Sequence, residues 1–253
     1  MIADFLRWII PERFRPKGYL LHLIRQRTGG CVYAGPFKGM HYAEYSVGSV
    51  YLPKLMGIYE RELVEVVEKA CQAKPTLIID VGAAEGYYAV GLAMRNPGSQ
   101  VIAFETEERG RSALKEMAGR NHVGDRLAIH GKCEPPDLEA ALAGSSAPFL
   151  VCDAEGYETV LLDPAVVPSL RDATILVELH DFLQPGATEL LRQRFETTHS
   201  VLQIWQEPRT RQDFPWPNLA TAILPDSHLD WVLTEGRPVR MSWLWIEPRQ
   251  GRP

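Results

Sequence analysis

Two carboxylates and a pair of glycines have the types and the spacing to hold a nucleoside. In Leu77-Ile-Ile-Asp-Val-Gly-Ala-Ala-Glu-Gly-Tyr87 an apolar run ends at Asp80, and Gly82 and Gly86 frame the turn that follows. Glycine lets a backbone come close to a ligand and adopt conformations that a Cβ blocks. A helix opening at such a turn presents unpaired N–H groups to polar ligand atoms. Glu105 follows the turn by about 20 residues, the separation at which an acid takes ribose hydroxyls, and a carboxylate can accept both at once. The glycine spacing is G-x-x-x-G, with Ala84 where a dinucleotide fingerprint, G-x-G-x-x-G, has its second glycine. That departure argues against a nicotinamide-dependent oxidoreductase. A nucleoside with an amino-acid tail and no pyrophosphate, S-adenosylmethionine (SAM), suits the looser pattern. The expected cofactor contacts are Asp80 toward the cationic end of the methionine moiety and Gly82 and Ala83 beside its tail. Gly86 and Tyr87 stand at the helix start, Glu105 on the ribose, and Asp153 at a neighbouring strand end.

A second group of residues could act on an acceptor. Ligands in open α/β sheets bind beyond the carboxyl ends of the strands. Asp153 ends the fourth expected strand, and Glu178, His180 and Asp181 end the fifth. Transfer to a hydroxyl needs alignment of the nucleophile and removal of a proton. His180 is the expected general base because its ordinary pKa lies near neutrality, with Asp181 or Glu178 to orient it. The structural alternative is a helix cap for Asp181 and a hydrogen-bonded core role for His180. Asp153, Glu178 and Asp181 also supply hard oxygen ligands of the kind Mg²⁺ accepts. Catechol O-methyltransferase is similar in placing metal-binding acids after strands four and five. Its two strand-five ligands are adjacent, whereas Leu179 follows Glu178 here, so a metal is not the preferred expectation. Glu158 suits the positive end of a helix, Glu155 the substrate side. Tyr59-Glu60 reads as a helix start or as a contact to the methionine tail. Trp216, between Pro215 and Pro217, is the expected aromatic contact to an acceptor, while Trp243 and Trp245 read as core.

At Asp80-Val-Gly-Ala-Ala-Glu-Gly-Tyr87 and Cys152-Asp-Ala-Glu-Gly-Tyr-Glu158 the chain resembles the FkbM-like methyltransferases, with their D-x-G-x-x-x-G-Y turn and later D-x-E-G-x-E segment. The resemblance covers roughly residues 75 to 182. It implies SAM-dependent methyl transfer, usually to a hydroxyl on a sugar or natural product. Transfer to nitrogen or carbon, and a non-catalytic SAM-binding protein, are the alternatives. After the third strand the chain has Gly131-Lys132-Cys133 where SAM sites usually offer an acid near adenine.

Positioning these groups requires an alternating pattern, and the chain has one. Expected strands at 77–80, 100–104, 127–130, 148–152 and 174–178 alternate with helices at 86–95, 107–121, 136–143, 158–169 and 187–196. Strands at 201–206 and 241–246 close the series. Short, continuously apolar strands of this kind form a parallel sheet covered on both faces. The expected fold is therefore α/β: a Rossmann-like class I methyltransferase with a seven-stranded, mostly parallel sheet. Residues 59–253 would form that SAM-binding domain, and 1–58 an N-terminal extension of two helices (near 2–10 and 18–27) and a hairpin around Gly35-Pro36. The stretch 207–240, punctuated by Pro215, Pro217 and Pro225, breaks the rhythm and reads as a substrate-facing insertion.

Composition narrows the partners. Of 253 residues, 45% are hydrophobic and 23% charged, as in an ordinary globular protein. A net charge of −5 disfavours nucleic acid, whose binding is driven by Lys and Arg; a small-molecule acceptor is expected instead. Cys31, Cys71, Cys133 and Cys152 form no CxxC pair and read as reduced thiols without a zinc site. With no apolar run near the roughly 20 residues that span a bilayer, a soluble, cytoplasmic protein is expected. Asp4, Arg7 and Pro11 interrupt the apolar first segment, and no small-residue cleavage site follows, which argues against a secretory leader. The first 28 residues are net basic, which would also suit an anionic membrane surface. A helical arm packed on the domain, or on a second copy in a homo-oligomer, is the preferred reading.

Overall fold

A computed structural model describes residues 16–249. The helix expected near 2–10, and the basic, apolar segment it belongs to, lie outside the described residues. The chain divides into two units. Among the described residues, one comprises Glu62–Gln206 with those from Pro238 onward, the other those up to Arg61 with Glu207–Arg237.

The larger unit holds a seven-stranded sheet. Its strands are β1 (Leu77–Val81), β2 (Gln100–Phe104), β3 (Leu127–His130), β4 (Phe149–Cys152), β5 (Thr174–Leu179), β6 (His199–Trp205) and β7 (Ser242–Pro248). They lie in the order β3-β2-β1-β4-β5-β7-β6. Strands β1 to β5 pair in parallel. β7 is antiparallel to both β5 and β6, so six strands share one direction and only β7 runs against them. Every residue of β4, and all but the first of β1 and β5, is buried. Side chains alternate between the two faces of a strand, so continuous burial means that both faces are covered. Ile79, Leu150, Ile175, Val177, Leu244 and Ile246 form the core of one layer with Leu138, Leu191 and Phe195 from the flanking helices.

From β1 the chain builds outward to β3, then crosses back to begin again at β4 beside β1. Such a reversal opens a crevice at the carboxyl ends of the two central strands, because successive connections leave in opposite directions. The connecting helices are α3 (Val64–Ala73), α4 (Tyr87–Arg95), α5 (Glu108–Arg120), α6 (Pro135–Leu142), α7 (Glu158–Leu161) and α8 (Ala187–Phe195), after α1 (Pro16–Thr28) and α2 (Tyr51–Met56) in the smaller unit. The helix expected over 158–169 ends instead at Leu161, followed by a 3₁₀ turn at Pro168–Asp172. Pro164 and Pro168 cannot donate to a helical ladder, and each disfavours helix in the residue before it.

In the smaller unit the expected hairpin reduces to a single antiparallel bridge between Cys31 and His41. The helix expected to start at Tyr59-Glu60 begins only at Val64, after a 3₁₀ turn at Arg61–Leu63. The stretch 207–237 forms α9 (Leu219–Ile223) and α10 (Asp226–Leu233) and clusters with the N-terminal residues into one unit. Among the described residues no helix is long and apolar enough to cross a membrane.

Candidate cofactor and acceptor site

The turn after β1 is built from left-handed residues. Gly82, Ala84 and Gly86 have φ of 83°, 47° and 97°. A Cβ on Gly82 would overlap the Asp153 carbonyl oxygen, and one on Gly86 the Leu114 side chain. Gly82 is therefore required by close approach to backbone as well as by conformation, and Gly86 chiefly by its left-handed conformation. Ala84 adopts its geometry at a cost of about 1–2 kcal/mol, and hydrogen bonds hold it there. The amides of Gly82 and Ala83 both donate to the Phe104 carbonyl, at 2.9 and 3.1 Å, and Gly86 donates to Ala83 at 2.7 Å.

Glu105, just beyond β2, closes this turn from the side. Its Oε2 accepts the Ala84 N–H at 2.7 Å, and its Oε1 accepts the Glu107 N–H at 2.7 Å. The carboxylate is buried and locked in direction by these bonds. Gly110 leaves it room: a Cβ there would come within 2.8 Å of Glu105 Cγ. Oε1 also accepts the Thr106 hydroxyl at 3.4 Å, while Oε2 keeps a further acceptor position beside the glycine turn. Asp80 lies buried in β1, in register with Ala103 of β2 and Val151 of β4. Ala83 and Tyr87 are buried too, with Tyr87 edge-on to Tyr88. Glu85 is wholly buried within the turn, a position that sequence reasoning passed over because an acid in a turn reads as solvated.

Past β4 and β5 the acceptor-side residues converge around His180. Its ring is buried, and Nδ1 lies 2.8 Å from Glu158 Oε1. Glu158 Oε1 also accepts the N–H groups of Ala154 and Gly156, each at 3.1 Å. The loop between these residues is tightly bent, with Glu155 at φ 50° and Gly156 at φ 97°. His180 Nε2 lies 3.6 Å from Asp153 Oδ1 and 3.6 Å from Glu155 Oε2. Burial alone would lower the His180 pKa, but the bond to Glu158 and the charges of Asp153, Glu158 and Glu155 outweigh it and raise the value. Burial works against the charged form of Glu158 as well, yet its bonds to His180 and to backbone amides hold its carboxyl below the usual range.

The structure thus regroups the expected residues. Glu158 orients His180, rather than Asp181 or Glu178. Asp181 accepts the Thr188 N–H at 3.2 Å and the Thr188 hydroxyl, which ties it to the first turn of α8. Glu178 is buried in β5 opposite Trp243. Of the disfavoured metal candidates Asp153, Glu178 and Asp181, only Asp153 belongs to a cluster of ligand-type atoms among the described residues, that of Asp153, Glu155 and His180, whose atoms all lie within 4.8 Å of one another. Sequence spacing could not find this set, because it joins two loops across β4 and β5.

Other expectations are also relocated. After β3, Glu134 supplies an acid that pairs with Lys132 at 2.5 Å and accepts the Tyr157 hydroxyl at 2.6 Å. Burial pushes the neighbouring Cys133 thiol up to about 12. Trp216 is packed against Tyr33 and Phe214, with centroids 4.6 and 4.9 Å away, and is buried; it is core of the smaller unit rather than an exposed aromatic wall. Trp243 and Trp245 are core, as their alternation indicated. Glu60 does not start a helix. It has φ 48°, pairs with Arg237, and its N–H donates to Glu235 Oε1 at 3.1 Å.

The strand order with its single reversed strand, and the crevice beside a glycine turn, define a Rossmann-like class I methyltransferase fold. No protein-family model matches the chain, and no curated protein matches it by sequence. Among solved structures it is similar to an O-methyltransferase from Bacillus cereus in complex with SAH, at 10% identity over 98% of this chain and 97% of that one, TM-score 0.49. It is also similar to the O-methyltransferase TomG from Streptomyces achromogenes, involved in tomaymycin synthesis and in complex with SAM, at 12% identity over 72% and 78% of the two chains, TM-score 0.47. A third is the B. subtilis tRNA methyltransferase TrmK, at 9% identity over 72% and 65%, TM-score 0.44.

Proposed function

We propose that this chain is a SAM-dependent methyltransferase acting on a hydroxyl of a sugar or natural-product acceptor. The observation that carries the cofactor assignment is the Glu105 carboxylate. Two backbone amides pin it beside a left-handed glycine turn at the topological switch point. A carboxylate held this way is preorganised for a vicinal diol, so the bound ribose does not have to order it. Gly82, Ala83, Gly86 and Tyr87 line the turn along which the amino-acid tail would pass, with Asp80 for its ammonium and Asp153 at the adjoining strand end. The hydroxyl acceptor rests on the resemblance at residues 80–87 and 152–158.

SAM, when bound, supplies a methyl group activated by its sulfonium. The work left to the chain is to align the acceptor and take its proton. Asp153, Glu155 and His180 are the groups assigned to that task, with Glu158 a positioning residue that holds the imidazole. Asp181 is assigned to the start of α8.

Calorimetry with S-adenosylhomocysteine and with NAD tests the reading: binding of the first and not the second is expected. Glu105→Ala should weaken S-adenosylhomocysteine binding about 10- to 100-fold, since hydrogen bonds to a charged group contribute about 1.5–3 kcal/mol. Equal affinity in that variant would remove the ribose assignment.

A further inference from the structure

We infer that Asp153, Glu155 and His180 form a binding site for one divalent first-row transition metal, of the Mn²⁺ or Zn²⁺ kind. Three donors about 2.1 Å from a tetrahedral metal stand roughly 3.4 Å apart. The two edges from His180 Nε2 are 3.6 Å and all three atoms lie within 4.8 Å of one another, so side-chain adjustments close the set around an ion. The histidine is the independent sign that a ligand belongs there. Its side chain is 4% exposed, Nδ1 is engaged by Glu158, and Nε2 points between two carboxylates at a separation too long for a hydrogen bond. A carboxylate behind the ring is also the usual support of a metal-binding imidazole, because it fixes which nitrogen faces the metal.

Charge and access point the same way. Three carboxylates, those of Asp153, Glu155 and Glu158, surround one imidazole, and a dication offsets their mutual repulsion. One nitrogen with two oxygens favours a transition metal over Mg²⁺ or Ca²⁺, which take oxygen alone. The Asp153 and Glu155 side chains are 40% and 74% exposed, so an ion can enter from solvent and keep open positions. The purpose of the site, though not its existence, rests on the methyltransferase reading. A cation there would take over from the imidazole the activation of a nearby acceptor hydroxyl, making it more acidic and holding it in place.

The test is to strip the full-length protein with a chelator and titrate it with Co²⁺, followed by visible absorption, and with Mn²⁺ by calorimetry. One saturable ion per chain is expected. Glu155→Gln, a change at an exposed side chain whose folding circular dichroism would confirm, should weaken binding at least about tenfold. Glu158→Gln should weaken it about 10- to 100-fold and shift the Co²⁺ bands through the imidazole. His180→Ala should abolish the site. Absence of saturable binding in the wild type, or wild-type affinity in Glu155→Gln, overturns the proposal. Titrating S-adenosylhomocysteine into the same stripped protein separates the two readings. Its binding without Co²⁺ uptake sinks the metal site alone, and Co²⁺ uptake without its binding sinks the cofactor assignment alone.

Discussion

The two ends of the glycine question can be compared within one chain. At Gly82 the backbone is left-handed and the Asp153 carbonyl occupies the space a Cβ would need. Gly82→Ala should therefore cost more than about 3 kcal/mol, combining conformational strain and overpacking. Gly119 lies in α5 with ordinary φ and open space around it. Gly119→Ala should stabilise by about 0.5–1 kcal/mol, the ordinary gain in a helix. Urea denaturation of the two variants checks both signs. A mild effect at Gly82 would mean that the central strand ends do not meet as described. That Gly82 is special was legible from its place after an apolar run. That its neighbour in space is the backbone of residue 153 was not, because the two stand 71 positions apart in sequence and only the pairing of β1 with β4 brings them together.

At the scale of elements, α7, α8 and the loops before them decide what His180 can do. Glu158 opens α7 and gathers two loop amides before it reaches the ring, so one side chain both starts a helix and orients a histidine. Arg194 of α8 reaches back to the carbonyls of Thr159 and Leu162 and to Asp163, binding the end of α7 that Pro164 cuts short. Asp181 serves the same assembly by holding the first turn of α8 through Thr188. Asp181→Ala should cost about 1 kcal/mol, as loss of a helix cap does, with turnover largely kept. His180→Ala should instead lower turnover about 10²-fold or more while S-adenosylhomocysteine affinity changes little. Thermal melts beside methyl-transfer assays separate these outcomes, and a collapse of turnover in Asp181→Ala would return that residue to the reaction.

Across the whole molecule the division into units does not follow the order of the chain. Residues 207–237 leave the sheet after β6, join the N-terminal segment, and give way to β7, which returns to the sheet. In that smaller unit charge is buried along with apolar surface. Arg209 pairs with Glu235 at 2.5 Å, Arg237 pairs with Glu235 and Glu60, and Arg209 also donates to the Ile58 carbonyl. Removing one partner from such a network leaves an uncompensated buried charge. Glu235→Ala should destabilise the protein by about 3–5 kcal/mol in denaturant melts, whereas an exposed pair such as Arg120–Glu116 on α5 should contribute under about 1 kcal/mol. Similar losses from the two would show that the Glu235 cluster is solvated.

Sequence by itself determined the alternating strands and helices, the glycine turn after β1 and the acid after β2. Each of these is written in local spacing, where apolar runs, turn residues and a strand end are neighbours in the chain. It also brought His180 to the correct end of β5. The tertiary structure alone decided which acid stands behind that imidazole, which two stand before it, and that Trp216 is core. It also assigned residues 207–237 to the smaller unit. Those are statements about distance between segments far apart in sequence, and strand order and loop curvature set such distances, whereas residue type and spacing do not.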